Sequence, residues 1–358
     1  MAGLACVLLA AGVPPSQERA APDEARATDE IKQMLSDGVR RRHREGSGPA
    51  LRDAHAKGHG CVKAHFAVMP SLAAQMRHGV FARPATFTAW IRFSNAAGTD
   101  DHLGLARGMA IKLTGVPGRK ILPNEATETT QDFLLVNYPV FNIRTPDDYV
   151  AFFRASDSGQ LPAFFKQHPD AQRITTAIAA QRIWNPLDVR YFSMTAYQLG
   201  DRYVKYSAVP VSCVTGKALH DRQTGPLPTG PNYLRAAMAD ALATHGTCFD
   251  FEVQLQTDPQ HMPIEDATVE WSESESSFVP VARITIPSQR FESPAQQTFC
   301  ENLSYTPWHT LPAHRPVGFV NRIRRVVYDA ISALRHNLNG AARREPTGAE
   351  RFPGSATW

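Results

Sequence analysis

The sequence predicts an α+β fold, an antiparallel barrel or sheet wrapped by helices. Many short apolar or alternating runs lie between turn residues, and sizeable helical stretches are inserted among them. No Gly-x-Gly-x-x-Gly follows a strand, which leaves a dinucleotide-binding fold unsupported, and no internal repeat is visible.

The elements follow in chain order. From about Asp23 to Arg44, Ile31, Met34, Leu35 and Val39 recur near helical spacing, and Gly46-Ser47-Gly48-Pro49 ends that helix. Strands are expected at His65–Val68, Thr86–Ser94, Gly108–Leu113 and Phe133–Val136, with a short helix at Ser71–His78. Helices are expected at Tyr149–Ala155, Pro162–Gln167 and Ala171–Gln181. Strands return at Val189–Tyr197, Tyr203–Pro210, Phe249–Gln256 and Val281–Ile286, with a helix at Ala236–His245. A loop rich in Pro and Trp, Tyr305–Pro316, precedes a last helix over Arg322–Leu338, with Asn321 as its N-cap and Asn339-Gly340 as its stop.

The chain has 358 residues, 43% hydrophobic and 20% charged, enough to bury a core without staples. A net charge of +4, with basic clusters only at 40–44 and 322–325, is a poor basis for nucleic-acid binding. The five cysteines are scattered, form no Cys-x-x-Cys and are odd in number, which argues against a disulfide framework. Ala2–Val13 is apolar but too short to span a bilayer and lacks the basic flank of a secretory signal. Residues 1–22 are therefore expected to be a disordered or processed tail, 23–340 a single domain, and 341–358 a disordered polar tail. The expected location is cytoplasmic, or periplasmic if residues 1–13 are a truncated signal peptide, with no stable membrane span.

Chemistry gathers first on the last helix. Arg324, Tyr328 and Arg335 are spaced by four and seven residues, so one phenol sits between two guanidiniums on one stripe. An adjacent fixed positive charge lowers a phenol's pKa, and arginine cannot relieve the strain by losing its proton. Such a pair can make an anionic axial ligand for a ferric haem. Taken alone, Arg-x-x-x-Tyr is as well explained by a solvated basic face.

A second cluster changes those odds. Arg52-Asp53-Ala54-His55-Ala56-Lys57-Gly58 is followed by Ile91-Arg92-Phe93-Ser94-Asn95 and then by Arg107-Gly108-Met109-Ala110-Ile111-Lys112-Leu113. With the Arg324–Tyr328–Arg335 helix, these stretches resemble the haem catalase family in order and spacing, over most of residues 50–340. The short chain resembles its small, catalase-related branch. The resemblance implies a helix-wrapped antiparallel β-barrel with haem b between barrel and last helix. It implies His55 as the distal acid–base histidine, Ser94 as the residue orienting it, and Tyr328 as the iron ligand. Arg324 would hold Tyr328 ionised, Arg52, Arg92 and Arg335 would pair with the haem propionates, and Tyr149 would stack near the haem. A homo-oligomer is expected, with a peroxide substrate and an organic electron donor as a further partner.

Two departures stand out. The family's distal asparagine falls, without a gap, on Val136 in Leu135-Val136-Asn137-Tyr138-Pro139; a one-residue shift restores Asn137, which is the expectation taken here. Asp53-Ala54 replaces an apolar pair before the distal histidine. Bland readings stand beside these: His55, His59 and His65 as zinc ligands, though no carboxylate or cysteine completes the set; Ser94 as an ordinary strand serine; Arg52 and Arg92 as surface residues; Met109, Met194, Trp308 and His309 as packing. The expected function is haem-dependent decomposition of hydrogen peroxide, by disproportionation or with organic donors. The alternatives are a lipid-hydroperoxide-metabolising haem enzyme and a non-enzymatic haem-binding barrel.

Overall fold

A computed structural model describes residues 17–46, 48–219 and 225–354. Nine strands build one antiparallel sheet: β1 (Gly58–Val68), β2 (Thr86–Asn95), β3 (Arg107–Thr114), β4 (Thr130–Val136), β5 (Tyr191–Phe192), β6 (Tyr197–Leu199), β7 (Arg202–Val211), β8 (Thr247–Leu255) and β9 (Val279–Ile286). The order is β5-β4-β3-β2-β1-β9-β8-β7-β6, and pairing of β5 with β7 closes eight strands into a barrel, β6 lying outside the ring. Closure removes the exposed strand edges that an open sheet would carry.

The barrel interior is filled. Phe66, Phe133, Phe251 and Tyr206 pack at its centre, with ring centroids 4.9 Å apart for Phe133 and Phe251 and 5.2 Å for Phe66 and Phe251. A core packed this densely leaves no room for a large ligand. The helices create a second core outside the barrel: α1 (Glu24–Glu45), α2 (Pro146–Asp157), α3 (Leu161–Gln167), α4 (Pro169–Ala179) and α7 (Phe319–Leu338) bring together Ile31, Val150, Phe164, Ala171, Ile323, Val327 and Ile331. Two further helices, α5 (Tyr233–Thr244) and α6 (Pro294–Asn302), pack against β1.

Several expectations are corrected. The expected strand Val189–Tyr197 divides into β5 and β6 at Met194, which adopts φ 59°. Ser71–His78 holds only a 3-10 turn at Ala74–Met76. Asn321 is not a cap: α7 begins after Gly318 (φ 85°), and the buried Asn321 amide donates to Ala196 O and Val317 O, both at 3.0 Å. The helix α6 went unread because its Gln-rich sequence has no apolar period; Ser293 caps it by accepting from Gln296 N.

The expected disordered tail after residue 340 is a strap. Glu345 accepts from Lys112 Nζ (2.7 Å) and Thr130 Oγ1 (2.7 Å), and Glu350 accepts from Trp90 Nε1 (3.2 Å). Phe352 packs edge-on to Trp90. Lys112 and Asp132 are buried on the outer face of the barrel, and a buried charge left without neighbours is costly, so the polar tail is held by what it covers. At the other end, Glu18 pairs with Arg322 (3.3 Å), so residues 17–22 also dock, while residues 1–16 lie outside the described residues.

Cysteine arithmetic also misled. Cys61–Cys300 and Cys213–Cys248 are disulfides. An odd count excludes only full pairing; it leaves room for two bridges and one remaining cysteine, Cys6, which lies outside the described residues.

Candidate functional site

Between the barrel wall and α7 lies a cavity of about 120 Å³. Residues from β2, β3 and β4 line one side; Arg324, Tyr328, Ile331, Ser332 and Arg335 of α7 line the other. Those α7 residues recur at helical steps, so one stripe of the helix faces the cavity.

His55 sits on the barrel side. Its Nδ1 lies 3.0 Å from Ser94 Oγ. Its backbone adopts φ 57°, unusual for a residue with a side chain, and is held there by His55 N donating to Ala96 O (2.8 Å) and Arg92 Nη1 donating to His55 O (2.8 Å). Gly108 passes so close that a Cβ there would lie 2.6 Å from His55 Nδ1 and 2.9 Å from Ser94 Oγ. Burial, reinforced by Arg92, Arg324 and Arg52, drives the His55 pKa down to about 3, so the ring is neutral at neutral pH.

Tyr328 faces the cavity from α7, beside Arg324. Burial raises the phenol's pKa and Arg324 opposes it, with burial winning; the arginine alone does not ionise Tyr328, contrary to the simple charge argument. Arg324 is buried, its guanidinium 5.7 Å from the centre of the Phe141 ring. Burial works against its charge, yet Tyr328, Tyr197 and Tyr149 hold its pKa above the ordinary value.

Arg52, Arg92 and Arg335 all line the cavity, and two of them share a partner outside its lining that the sequence did not single out. The Glu301 carboxylate accepts from Arg52 Nη1 (2.6 Å) and Arg92 Nη2 (3.1 Å). Arg335 donates to the backbone oxygens of Glu301 and Leu303. Although burial works against it, Glu301 is held down to about 2 by Arg52 and Arg92. The signal was available only as a carboxylate at the end of an unrecognised helix. Asp53 also lines the cavity, with burial raising its carboxyl pKa above the usual range.

Two expected residues are elsewhere. Asn137 does not line the cavity: its Oδ1 accepts from Arg107 N (2.6 Å) and its Nδ2 donates to Gln181 Oε1 (2.5 Å). Val136 lines the cavity instead, as the ungapped match has it. The expectation of Asn137 as distal amide is therefore corrected; its side chain closes the β3–β4 end by bonding the backbone where β3 begins. Tyr149 lies in the helical core, stacked on Phe153 at 4.9 Å, close enough to act on Tyr328 and Arg324 electrostatically but not lining the cavity. His55, His59 and His65 do not converge: His59 Nε2 bonds Asn95 Oδ1 (2.8 Å). Among the described residues the metal-like grouping is Glu125, His309 and Glu345, already neutralised by Lys112 and Arg343.

Comparison with solved structures follows the same outline. A fungal catalase superposes with a TM-score of 0.66 at 17% identity, covering 89% of this chain and 65% of that one. Catalase A from Saccharomyces cerevisiae gives 0.63 at 16%, covering 89% and 68%. A bacterial catalase gives 0.62 at 14%, covering 97% and 68%. The chain has the catalase fold. It spans just under two thirds of the length of the fungal protein. No family model and no curated protein matches it. Identities this low establish architecture, and function must be argued from the site.

Proposed function

We propose that this chain is a haem-dependent hydroperoxidase that reduces a peroxide with electrons from an organic donor. The observation that carries the reading is convergence on one cavity of a neutral His55–Ser94 pair, the Tyr328–Arg324 pair and a three-arginine cluster. The donor set fits haem b: Tyr328 is a hard oxygen ligand for ferric iron, and Arg52, Arg92 and Arg335 suit two carboxylates better than lysines would. Bound there, ferric haem would supply the redox-active iron.

The chain's own contribution is proton handling and positioning. Reducing ROOH to ROH and water consumes two electrons and two protons, both available from a donor AH2 oxidised to A. His55 is poised as an acceptor, since its ring is neutral. A hydroxyl can donate or accept, so Ser94 holds Nδ1 in either tautomer while Nε2 takes up and returns a proton. Arg92 fixes the backbone of His55, tying the arginine cluster to the proton carrier.

Val136 in the lining, with Asn137 turned away, bears on the finer reading. Without an amide at that point the cavity has one hydrogen-bonding group fewer to orient a small peroxide. The apolar lining at Met109, Leu135, Val136 and Ile331 favours organic hydroperoxides as a second class of substrate. Haem-loaded protein given hydrogen peroxide without donor tests this: weak oxygen release alongside rapid donor oxidation is expected. Rapid oxygen release would establish disproportionation instead, and no turnover of any peroxide at full haem content would leave a haem carrier.

Two disulfides support residence in an oxidising compartment rather than the cytoplasm. Among the described residues no helix is long and apolar enough to cross a membrane. Thiol alkylation of protein taken directly from its native cells checks the compartment: fully alkylated Cys61 and Cys300 would overturn it.

A further inference from the structure

We propose that the Cys61–Cys300 disulfide is a positioning device for the cavity: it locks the C-terminal end of α6 against β1, and the carbonyls of that end hold Arg52 and Arg335 in the lining. This deepens the haem reading and rests on it only for the identity of the ligand those arginines would meet.

A helix leaves its last carbonyls without partners inside the helix. In α6 Phe299 O accepts from Leu303 N (3.1 Å), and the carbonyls after it turn to side chains. Cys300 O accepts from Arg52 Nη2 (3.2 Å) and Glu301 O from Arg335 Nη1. Leu303 O, just past the helix, accepts from Arg52 Nη2 (2.6 Å) and Arg335 Nη2 (3.3 Å). His336 Nε2 lies 3.0 Å from Asn302 O. The partial negative charge at a helix C-terminus favours such cations.

The guanidiniums do not hold one another. Burial first, then Arg52, pushes the Arg335 pKa down to about 9. Like charges this close repel, so acceptors must fix them. The backbone acceptors of Arg92 are His55 O and Ala56 O, on the barrel side. Those of Arg52 and Arg335 come from residues 300–303, so these two arginines go where the end of α6 goes.

That end is tied to the barrel twice. Gln296 Nε2 donates to Cys61 O (2.8 Å), and the disulfide joins Cys300 to Cys61. Gln296 and Cys300 are the buried residues of this nine-residue helix, so its two ties are also its grip. Cys61 stands opposite Arg92 in the β1–β2 register, which puts both side chains on one face of that strand pair. The disulfide therefore seats α6 on the face from which Arg92 enters the cavity.

Phenylglyoxal labelling of the full chain, followed arginine by arginine by peptide mass spectrometry, compares wild type with the Cys61→Ala/Cys300→Ala double variant. Arg107 is the internal reference, since it is buried and held by Asp101 O and Leu103 O rather than by α6. Arg52 and Arg335 are expected to label faster in the variant by on the order of tenfold, as for a local opening, with Arg107 unchanged. Equal labelling, or an equal rise at all three arginines, would overturn the proposal and leave the disulfide a general staple. Iron-free protoporphyrin, titrated by fluorescence, is expected to bind the variant more weakly; equal binding would also overturn the proposal. If neither protein binds porphyrin, the haem reading fails, and the labelling alone decides the inference. Should the double variant not fold, Gln296→Ala cuts the other tie and is read by the same labelling.

Discussion

The backbone of Gly108 presses against the ring of His55: a single methyl on that α-carbon would meet Nδ1 at 2.6 Å. The glycine of β3 is thus what lets the His55–Ser94 pair form. Gly108→Ala is expected to push the ring off Ser94, cost about 1–3 kcal/mol of stability and remove peroxide turnover while haem is retained. Wild-type turnover in a folded Gly108→Ala protein would show that the His55–Ser94 contact is dispensable.

Positions 136 and 137 make a paired test. Asn137→Ala removes the acceptor for Arg107 N and should cost about 1–3 kcal/mol in denaturant unfolding, with peroxide turnover per haem little changed. Val136→Asn brings an amide to the cavity and should raise oxygen release from hydrogen peroxide. If Asn137→Ala abolishes turnover in stable, haem-replete protein, the side chain works in the cavity after all.

Tyr328→Phe removes the phenol oxygen from the α7 face. Haem content after gel filtration should drop sharply, with a changed absorption spectrum. Retention and spectrum equal to wild type would take the iron away from Tyr328.

Stability should fall with acid, and the window follows from three buried histidines. His55 and His314 are lowered to about 3, and His59 to about 4, chiefly by burial. Between these values and the usual ~6.5 the unfolded chain binds protons that the fold excludes, so stability rises with pH across that span. The Tm should climb from pH 4 to about 6.5 and change less above it; a flat profile there would mean these rings are not excluded from protonation.

The carboxyl-terminal strap can be released at one residue. Glu345→Ala leaves Lys112 with Asp132 alone and strips His309 and Thr130 of a partner. Breaking a buried pair from one side typically costs about 3–5 kcal/mol. Protease sensitivity after Asn339 should rise with it, and an unchanged Tm would show that the strap contributes nothing.

Strand and helix identities were legible because period two and period 3.6 are local properties of the chain. The stripe of Arg324, Tyr328 and Arg335 was legible for the same reason, and the short runs around His55 and Arg92 marked the opposite wall. Missed elements were those whose reason is remote. Helix α6 lacks an apolar period, and the 341–354 strap is polar by composition and ordered only by the buried charges it covers.

By itself, then, the sequence determined the pattern of strands and helices, since periodicity assigns residues to faces, and the family resemblance supplied candidate residues of which Arg52, His55, Arg92, Ser94, Arg324, Tyr328 and Arg335 line the cavity. Tertiary structure alone decided which neighbour of a pair turns inward and which charges share a partner. Val136 rather than Asn137 lines the cavity because β4 ends there and the Asn137 amide finds the start of β3. Glu301 joins Arg52 and Arg92, more than 200 residues away, because a burial that no local pattern encodes brings α6 to β1.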